Sequence, residues 1–214
     1  MKKITILMAA IGLTTVNFAS AQDEQPASNY INIAYNFQQL GVNENSVKPL
    51  DWGAGLEFGK TFFAHKEPIA QMLWLGIDWS YVDLQYATKK EDTSIVTHVA
   101  QAGMQVGPSL TVTLFDALYL KANVRYAPTY SAYACRYGTG ADQMWDVYSG
   151  YTGYITAGFS ASFKLITAGF EYRANTNVPE FSPNAKKGLM GSLLGDKKVK
   201  FEMPSARVYL GFRF

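Results

Sequence analysis

The sequence predicts an all-β fold: an eight-stranded antiparallel barrel that crosses a membrane, with both termini on the periplasmic side. Three observations predict it. Apolar and polar residues alternate along eight segments, short connections alternate with longer polar ones, and no stretch after residue 21 has the length of a membrane helix. Alternation with a period of two gives each strand one apolar face and one polar face.

Each of the eight segments supplies at least the ~9–11 residues that a tilted membrane strand needs. They cover about 29–38, 50–63, 71–86, 94–114, 117–131, 147–163, 165–176 and 201–214. Their polar faces are rich in Gly, Ser, Thr and Gln and carry few charges. A lipocalin-like barrel or a sandwich would turn this face to water, where Lys and Glu are common. Small polar residues instead favour the crowded inside of a narrow transmembrane barrel.

The first 21 residues have the three regions of a secretory signal peptide. Lys2 and Lys3 form a basic start, residues 4–16 are mostly apolar, and small residues at 19–21 form a cleavage site. We therefore expect a signal peptide over 1–21 and a barrel domain over 22–214. Without Lys2 and Lys3 the 19 basic residues become 17, equal to the 17 acidic ones, and nothing indicates a nucleic-acid partner.

Connection lengths predict the orientation. Short connections fall near 64–70, 115–116 and 164–165, and mostly longer, polar ones near 39–49, 87–93, 132–146 and 177–200. In outer-membrane barrels the short turns are periplasmic and the long loops extracellular. Pro108 falls inside the fourth segment, and a closed barrel has no free edge for a proline. We therefore expect a bulge there, toward the periplasmic end.

Seven charged residues of the inward face fall at similar heights when counted from the short turns. They are Glu57, Asp78, Lys121, Arg125, Glu171, Arg173 and Arg207. An eight-stranded barrel is only wide enough to be filled by its own side chains, and charges removed from water must pair. We expect a lumenal salt-bridge network, with Glu171 in reach of Arg207. A gated ion path through the same cluster is the alternative.

The sequence contains few of the residues that commonly act in catalysis. The chain has two histidines, His65 and His98, and one cysteine, Cys135, which excludes an intrachain disulfide. Small barrels that act as lipid A deacylases need a histidine with a carboxylate and a nearby nucleophilic serine. His98 is followed by Val99 and Ala100, with no serine beside it on the same face. We expect no catalytic residue, no cofactor and no metal site.

The last strand carries the strongest resemblance. Leu210, Phe212 and Phe214 share one face, and Phe214 is the last residue. With the signal peptide, the alternation and the loop lengths, this resembles the OmpA transmembrane-domain and OmpX families over the whole mature chain. The resemblance implies a location in the outer membrane of a Gram-negative bacterium. It also implies that these three residues are an assembly signal for the barrel-assembly machinery.

We expect a non-enzymatic protein whose extracellular loops bind a partner or stabilise the outer leaflet. The alternatives are a narrow channel or barrel subunit of an export complex, and then a lipid A-modifying enzyme. Aromatic and basic residues in two loops are candidate contacts to lipopolysaccharide phosphates or to a protein partner. They are Tyr133, Tyr137, Trp145, Lys186, Lys187, Lys197 and Lys198.

Overall fold

The computed structural model describes residues 26–43, 47–91, 94–115, 117–138, 143–183 and 199–214. The expected signal peptide lies outside them. The strands in chain order are β1 Asn29–Val42, β2 Lys48–Pro49, β3 Trp52–Phe63, β4 Leu73–Lys90, β5 Ile95–Phe115, β6 Leu118–Tyr137, β7 Met144–Phe163, β8 Ile166–Asn175, β9 Glu180–Pro183, β10 Val199–Glu202 and β11 Ser205–Arg213. In these ranges we find no helix with the length and hydropathy of a bilayer span.

Eight of these strands form a closed antiparallel ring. It runs β1, β3, β4, β5, β6, β7, β8 and β11, and β11 pairs with β1 again. Ile33, for example, lies opposite Leu56 on β3 and opposite Leu210 on β11. Closure leaves these eight strands without a free edge. The short strands β2, β9 and β10 pair with the ring at one end of the barrel.

The exterior of the ring is apolar and its interior is polar. On β1, Ile33 and Phe37 are 55% and 53% exposed, whereas Asn36 between them is 1% exposed. The same alternation runs along the other strands of the ring. This reverses the distribution of a water-soluble protein and is typical of a transmembrane barrel. The predicted fold class is confirmed.

Both described termini lie at the end of the barrel that carries the short turns. The backbone N–H of Asn29 donates to the carbonyl of Phe214 at 3.1 Å, and that of Phe214 donates to Asn29 at 3.0 Å. The short connections at 64–72 and 164–165, and the ends of β5 and β6 at Phe115 and Leu118, lie at the same end. In barrels of this class that end is periplasmic, as predicted.

The wall of the barrel is taller on one side. Strands β4, β5, β6 and β7 have 18, 21, 20 and 20 residues, whereas β8 and β11 have 10 and 9. At about 3.3 Å per residue, a strand of 20 residues reaches roughly 66 Å, well beyond an apolar band of ~25 Å. The tall strands extend into two predicted loops, 132–146 and 87–93. β6 runs to Tyr137 and β7 begins at Met144, while β4 runs to Lys90 and β5 begins at Ile95.

A β-bulge in β4 changes which residues face the lumen. Pairing with β5 shifts register between Ser80 and Asp83, so that Tyr81 and Val82 both face outward at 44% and 39% exposure. Beyond the bulge the alternation changes phase, and Asp83 points inward at 2% exposure. Strict alternation places Asp83 on the lipid side, which is why it was absent from the predicted charge cluster.

The predicted bulge at Pro108 is wrong. Pro108 lies opposite Ile77 on β4, and the β5–β6 ladder keeps one register from Val106, opposite Tyr126, to Ser109, opposite Asn123. Its side chain is exposed on the lipid face. The ladder has no pair to β6 at Pro108 itself, which accommodates a residue without an N–H donor. The register shift between β5 and β6 falls lower, between Thr113 and Phe115.

Candidate functional site

Eight buried charges fill the middle of the lumen, and they come from five strands. They are Glu57 on β3, Asp78 and Asp83 on β4, Lys121 and Arg125 on β6, Glu171 and Arg173 on β8, and Arg207 on β11. All seven residues singled out in the sequence lie in this cluster, and the β4 bulge adds Asp83. Four carboxylates thus face four cations, so the cluster is formally neutral.

Two arginines form the centre of the cluster. Arg207 places Nη1 2.7 Å from Asp83 Oδ1, and its Nη2 lies 3.0 Å from Glu57 Oε2 and 3.1 Å from Glu171 Oε1. Arg125 places Nη1 2.7 Å from Glu57 Oε1 and 3.0 Å from Asp78 Oδ2, and its Nη2 contacts Glu171. Glu57 and Glu171 therefore bridge the two guanidinium groups.

The outer members complete the pairing. Lys121 Nζ contacts Asp78, and Arg173 Nη1 lies 3.0 Å from Asp83 Oδ2. Neutral donors add to this, because Asn32 Nδ2 donates to Glu57 at 3.0 Å and Gln105 Nε2 donates to Asp83 at 2.8 Å. Every carboxylate of the cluster thus has at least one cation beside it. Pairing of this kind offsets the desolvation of buried charges.

Above the charges, toward the long-loop end, the lumen is apolar. Phe201 on β10 lies with its ring centroid 4.8 Å from that of Phe181 on β9 and 4.9 Å from that of Tyr133 on β6. The buried members of this upper core are Leu50, Ala87, Val99, Tyr133, Cys135, Tyr148, Phe181, Val199, Phe201 and Met203. The short strands β9 and β10 therefore point aromatic side chains into the barrel, and these fill the lumen at its long-loop end.

The predicted loop contacts have four different outcomes. Tyr133 is only 7% exposed, so its assignment as a contact residue is wrong: β6 continues past it, and its position on the strand points inward. Tyr137 is half-buried at the end of β6. Trp145 is 42% exposed and stacks on His98 at 5.9 Å. The lysines lie outside the described residues, namely Lys186, Lys187, Lys197 and Lys198.

His98 contacts hydroxyl groups of the neighbouring strand. Its Nδ1 lies 2.6 Å from Tyr86 Oη and 3.4 Å from Thr88 Oγ1. These partners are not the carboxylate and serine of a hydrolase triad. His65 is exposed in the first short turn. Within the described ranges, no three His, Cys, Asp or Glu side chains are grouped so that they could hold a metal ion.

The three residues of the expected assembly signal face outward. Leu210, Phe212 and Phe214 are strongly exposed on the lipid side of the closing strand and its end. In β11, the inward residues Arg207 and Tyr209 alternate with them and are buried. The last strand therefore has one lipid face and one lumenal face.

These placements define the class: a closed eight-stranded barrel with a lipid-type exterior and a filled lumen. No protein-family model and no curated protein matches the chain. Solved structures that it is similar to include Ail, the attachment invasion locus protein of Yersinia pestis (10% identity, 89% of this chain and 100% of that chain, TM-score 0.46). Another is Neisserial surface protein A (9% identity, 87% of this chain and 97% of that chain, TM-score 0.47). A third is the translocator domain of the autotransporter NalP from Neisseria meningitidis (11% identity, 90% of this chain and 90% of that chain, TM-score 0.34). At these TM-scores the assignment rests on the strand pairing and side-chain placement alone.

Proposed function

We propose that this protein is a non-enzymatic, non-conducting barrel of the Gram-negative outer membrane, and that its extracellular end binds a partner or stabilises the outer leaflet. The observation that carries the proposal is that side chains fill the lumen at two levels. A buried charge network occupies its middle and an apolar core occupies its outer end. With both layers in place, the working surface is the outer end of the barrel.

The charge network argues against an ion path. An ion crossing it must separate pairs such as Arg207–Asp83 at 2.7 Å and Arg125–Glu57 at 2.7 Å. Separating a buried pair leaves a charge uncompensated, which typically costs about 3–5 kcal/mol for one partner. The upper core adds an apolar barrier that ions do not cross readily. The channel alternative therefore has less support than a closed scaffold.

The exterior supports the membrane location. Bulky apolar side chains such as Ile33, Phe159 and Leu210 are about half exposed or more around the ring. Only lipid or detergent can cover an apolar surface of this extent without causing aggregation. Closed barrels that cross membranes with strands are typical of the Gram-negative outer membrane. A signal peptide over 1–21 fits the same location.

The outer end supplies contact chemistry. Trp145 is exposed near the rim and stacks on the half-buried His98, and exposed aromatic side chains often anchor partners. The lysines at 186, 187, 197 and 198 would add positive charge for lipopolysaccharide phosphates. Loops held on a rigid scaffold are common places for binding residues.

Planar-bilayer recording tests the closed lumen. We expect no stepwise conductance from the wild-type protein, and small openings only when Arg207→Ala opens the network and Phe201→Ala opens the upper core. Lys66→Ala, in an exposed short turn, is the matched control and should also stay silent. Regular conductance from the wild type contradicts the proposal and favours the channel. Mass spectrometry of lipid A with and without the protein tests the enzyme alternative, and we expect identical spectra.

A further inference from the structure

The outer end of the barrel contains a cavity beside the upper core. Its volume is about 240 Å³. The ends of β1, β4, β5 and β6 and the short strand β2 surround it. Leu40, Leu50, Ile95, Tyr133 and Cys135 are among the residues that line it. This cavity is separate from the charge network lower in the lumen.

Its size limits what it can hold. A cavity of ~150 Å³ lined by aliphatic and aromatic side chains binds benzene, and a water molecule occupies only ~30 Å³ of liquid. Sites for drug-sized ligands begin at about 300 Å³. A volume of about 240 Å³ therefore suits a compact molecule, such as a substituted single ring or a short branched chain.

The walls indicate an amphipathic ligand. Its lining mixes apolar side chains with the hydroxyl groups of Thr97, Tyr133 and Tyr137. Thr97 donates its hydroxyl to Cys135 Sγ at 3.8 Å, so the thiol has a local partner. The rim carries Lys48, Lys89 and Glu91. Glu91 pairs with Lys89 at 3.6 Å, whereas Lys48 is exposed and has no ion pair with the described residues. The rim therefore presents one excess positive charge beside a lining that is partly apolar and partly polar.

We propose that this cavity binds a small amphipathic anion, with a compact apolar body among Leu50, Ile95 and Tyr133 and a carboxylate at the rim near Lys48. The body covers the apolar side chains of the lining and releases water from them. The carboxylate stays at the solvent edge, where Lys48 attracts it without the cost of burying a charge. This goes beyond the proposed surface role and does not depend on it.

Cys135 provides a specific reporter. It is the single cysteine of the chain, it lines the cavity and it is 2% exposed. A small thiol reagent such as methyl methanethiosulfonate must enter the cavity to reach it. With the full-length protein in phospholipid vesicles, we would measure the labelling rate by mass spectrometry at rising concentrations of sodium benzoate. Ligand-observed NMR gives a second readout that needs no thiol chemistry.

We expect benzoate to bind saturably with a Kd on the order of a millimolar, as its size allows, and to slow labelling in parallel. Leu50→Trp fills the cavity and should weaken binding by about tenfold or more. Lys48→Glu should weaken it by roughly threefold, as for an exposed charge pair. Met72→Trp and Lys66→Glu, both exposed in the first short turn, are the matched controls and should bind like the wild type.

Three results would overturn the proposal. One is the absence of saturable binding by both readouts up to tens of millimolar benzoate. Another is that benzyl alcohol binds as tightly as benzoate and that Lys48→Glu has no effect on binding. That result would show that the ligand's negative charge is not recognised. The third is benzoate binding that appears only after residues 186–196 are replaced by a Gly/Ser linker. That result would mean that this segment, and not a ligand, occupies the cavity in the wild-type protein.

Discussion

Replacing Arg207 with alanine removes the residue that joins the two halves of the lumenal network. Its guanidinium contacts three carboxylates, those of Asp83, Glu57 and Glu171, at 2.7, 3.0 and 3.1 Å. After the substitution four carboxylates face three cations inside the barrel. Losing one partner of a buried pair typically costs about 3–5 kcal/mol, and we expect a loss in that range. Asp83 retains Arg173, and Glu57 and Glu171 retain Arg125, which limits the loss.

Equilibrium unfolding in urea, with the protein in lipid vesicles, measures this loss. Tryptophan fluorescence reports it, since the chain has four tryptophans. For a slope of ~2 kcal/mol per molar urea, a loss of about 4 kcal/mol lowers the midpoint by roughly 2 M. Lys66→Ala removes a cation from an exposed turn and should leave the midpoint unchanged. A midpoint for Arg207→Ala within ~0.3 M of the wild type would refute the reasoning.

A double variant separates charge balance from lost packing. Glu171→Gln combined with Arg207→Ala leaves three carboxylates and three cations, and each remaining charge keeps a partner. We expect the double variant to be less destabilised than the sum of the single variants, with a coupling energy of about 1–3 kcal/mol. Additive losses would show that Arg207 acts through its packing and not through its charge.

Three further predictions concern the ends of the barrel. Phe214→Asp should reduce insertion into the outer membrane while the precursor is still exported, because it places a charge on the lipid face; normal heat-modifiable migration on a gel would contradict this. Replacing residues 138–143 and 184–198 with Gly/Ser linkers should leave a folded barrel and abolish its binding to lipopolysaccharide or a partner, as measured on intact cells; unchanged binding would move the working surface to the barrel wall. His98→Ala should leave lipid A unmodified in the same way as the wild type, and a difference between their mass spectra would favour an enzyme.

Much of the barrel is predictable from the sequence because lipid and lumen impose opposite requirements on alternate residues. Parity and height alone place Glu57 and Arg125 in the lumen, and they lie 2.7 Å apart. Parity does not place Asp83 there, because the bulge at Tyr81 and Val82 shifts the alternation by one residue. A signal was present, since Leu84 and Tyr86 are apolar at positions where strict alternation from Leu75 requires lumenal residues.

The outer end was harder to predict for a different reason. The sequence pattern places Tyr133 in a loop, yet it is buried in the upper core together with Tyr148 of β7. Above the membrane a barrel strand faces water outside and a protein core inside, so the polarity rule reverses. Ala87, Val99 and Cys135 accordingly point inward although they are apolar. Alternation alone does not reveal where that reversal begins. Its position depends on where β9 and β10, which lie far along the chain from β4, β5 and β6, pack inside the barrel.

The spacing of the charge network along the chain has a kinetic consequence. Arg207, on the last strand, contacts Glu57 and Asp83, which precede it by 150 and 124 residues. These two contacts therefore form only when β11 closes the ring onto β1, whereas Glu171, the third ionic partner of Arg207, lies on the adjacent strand β8. Contacts over such long separations form slowly, and an open sheet would hold several charges without partners. We infer that the network penalises every incomplete barrel, so that closure is a late, all-or-none event that only a full set of strands completes.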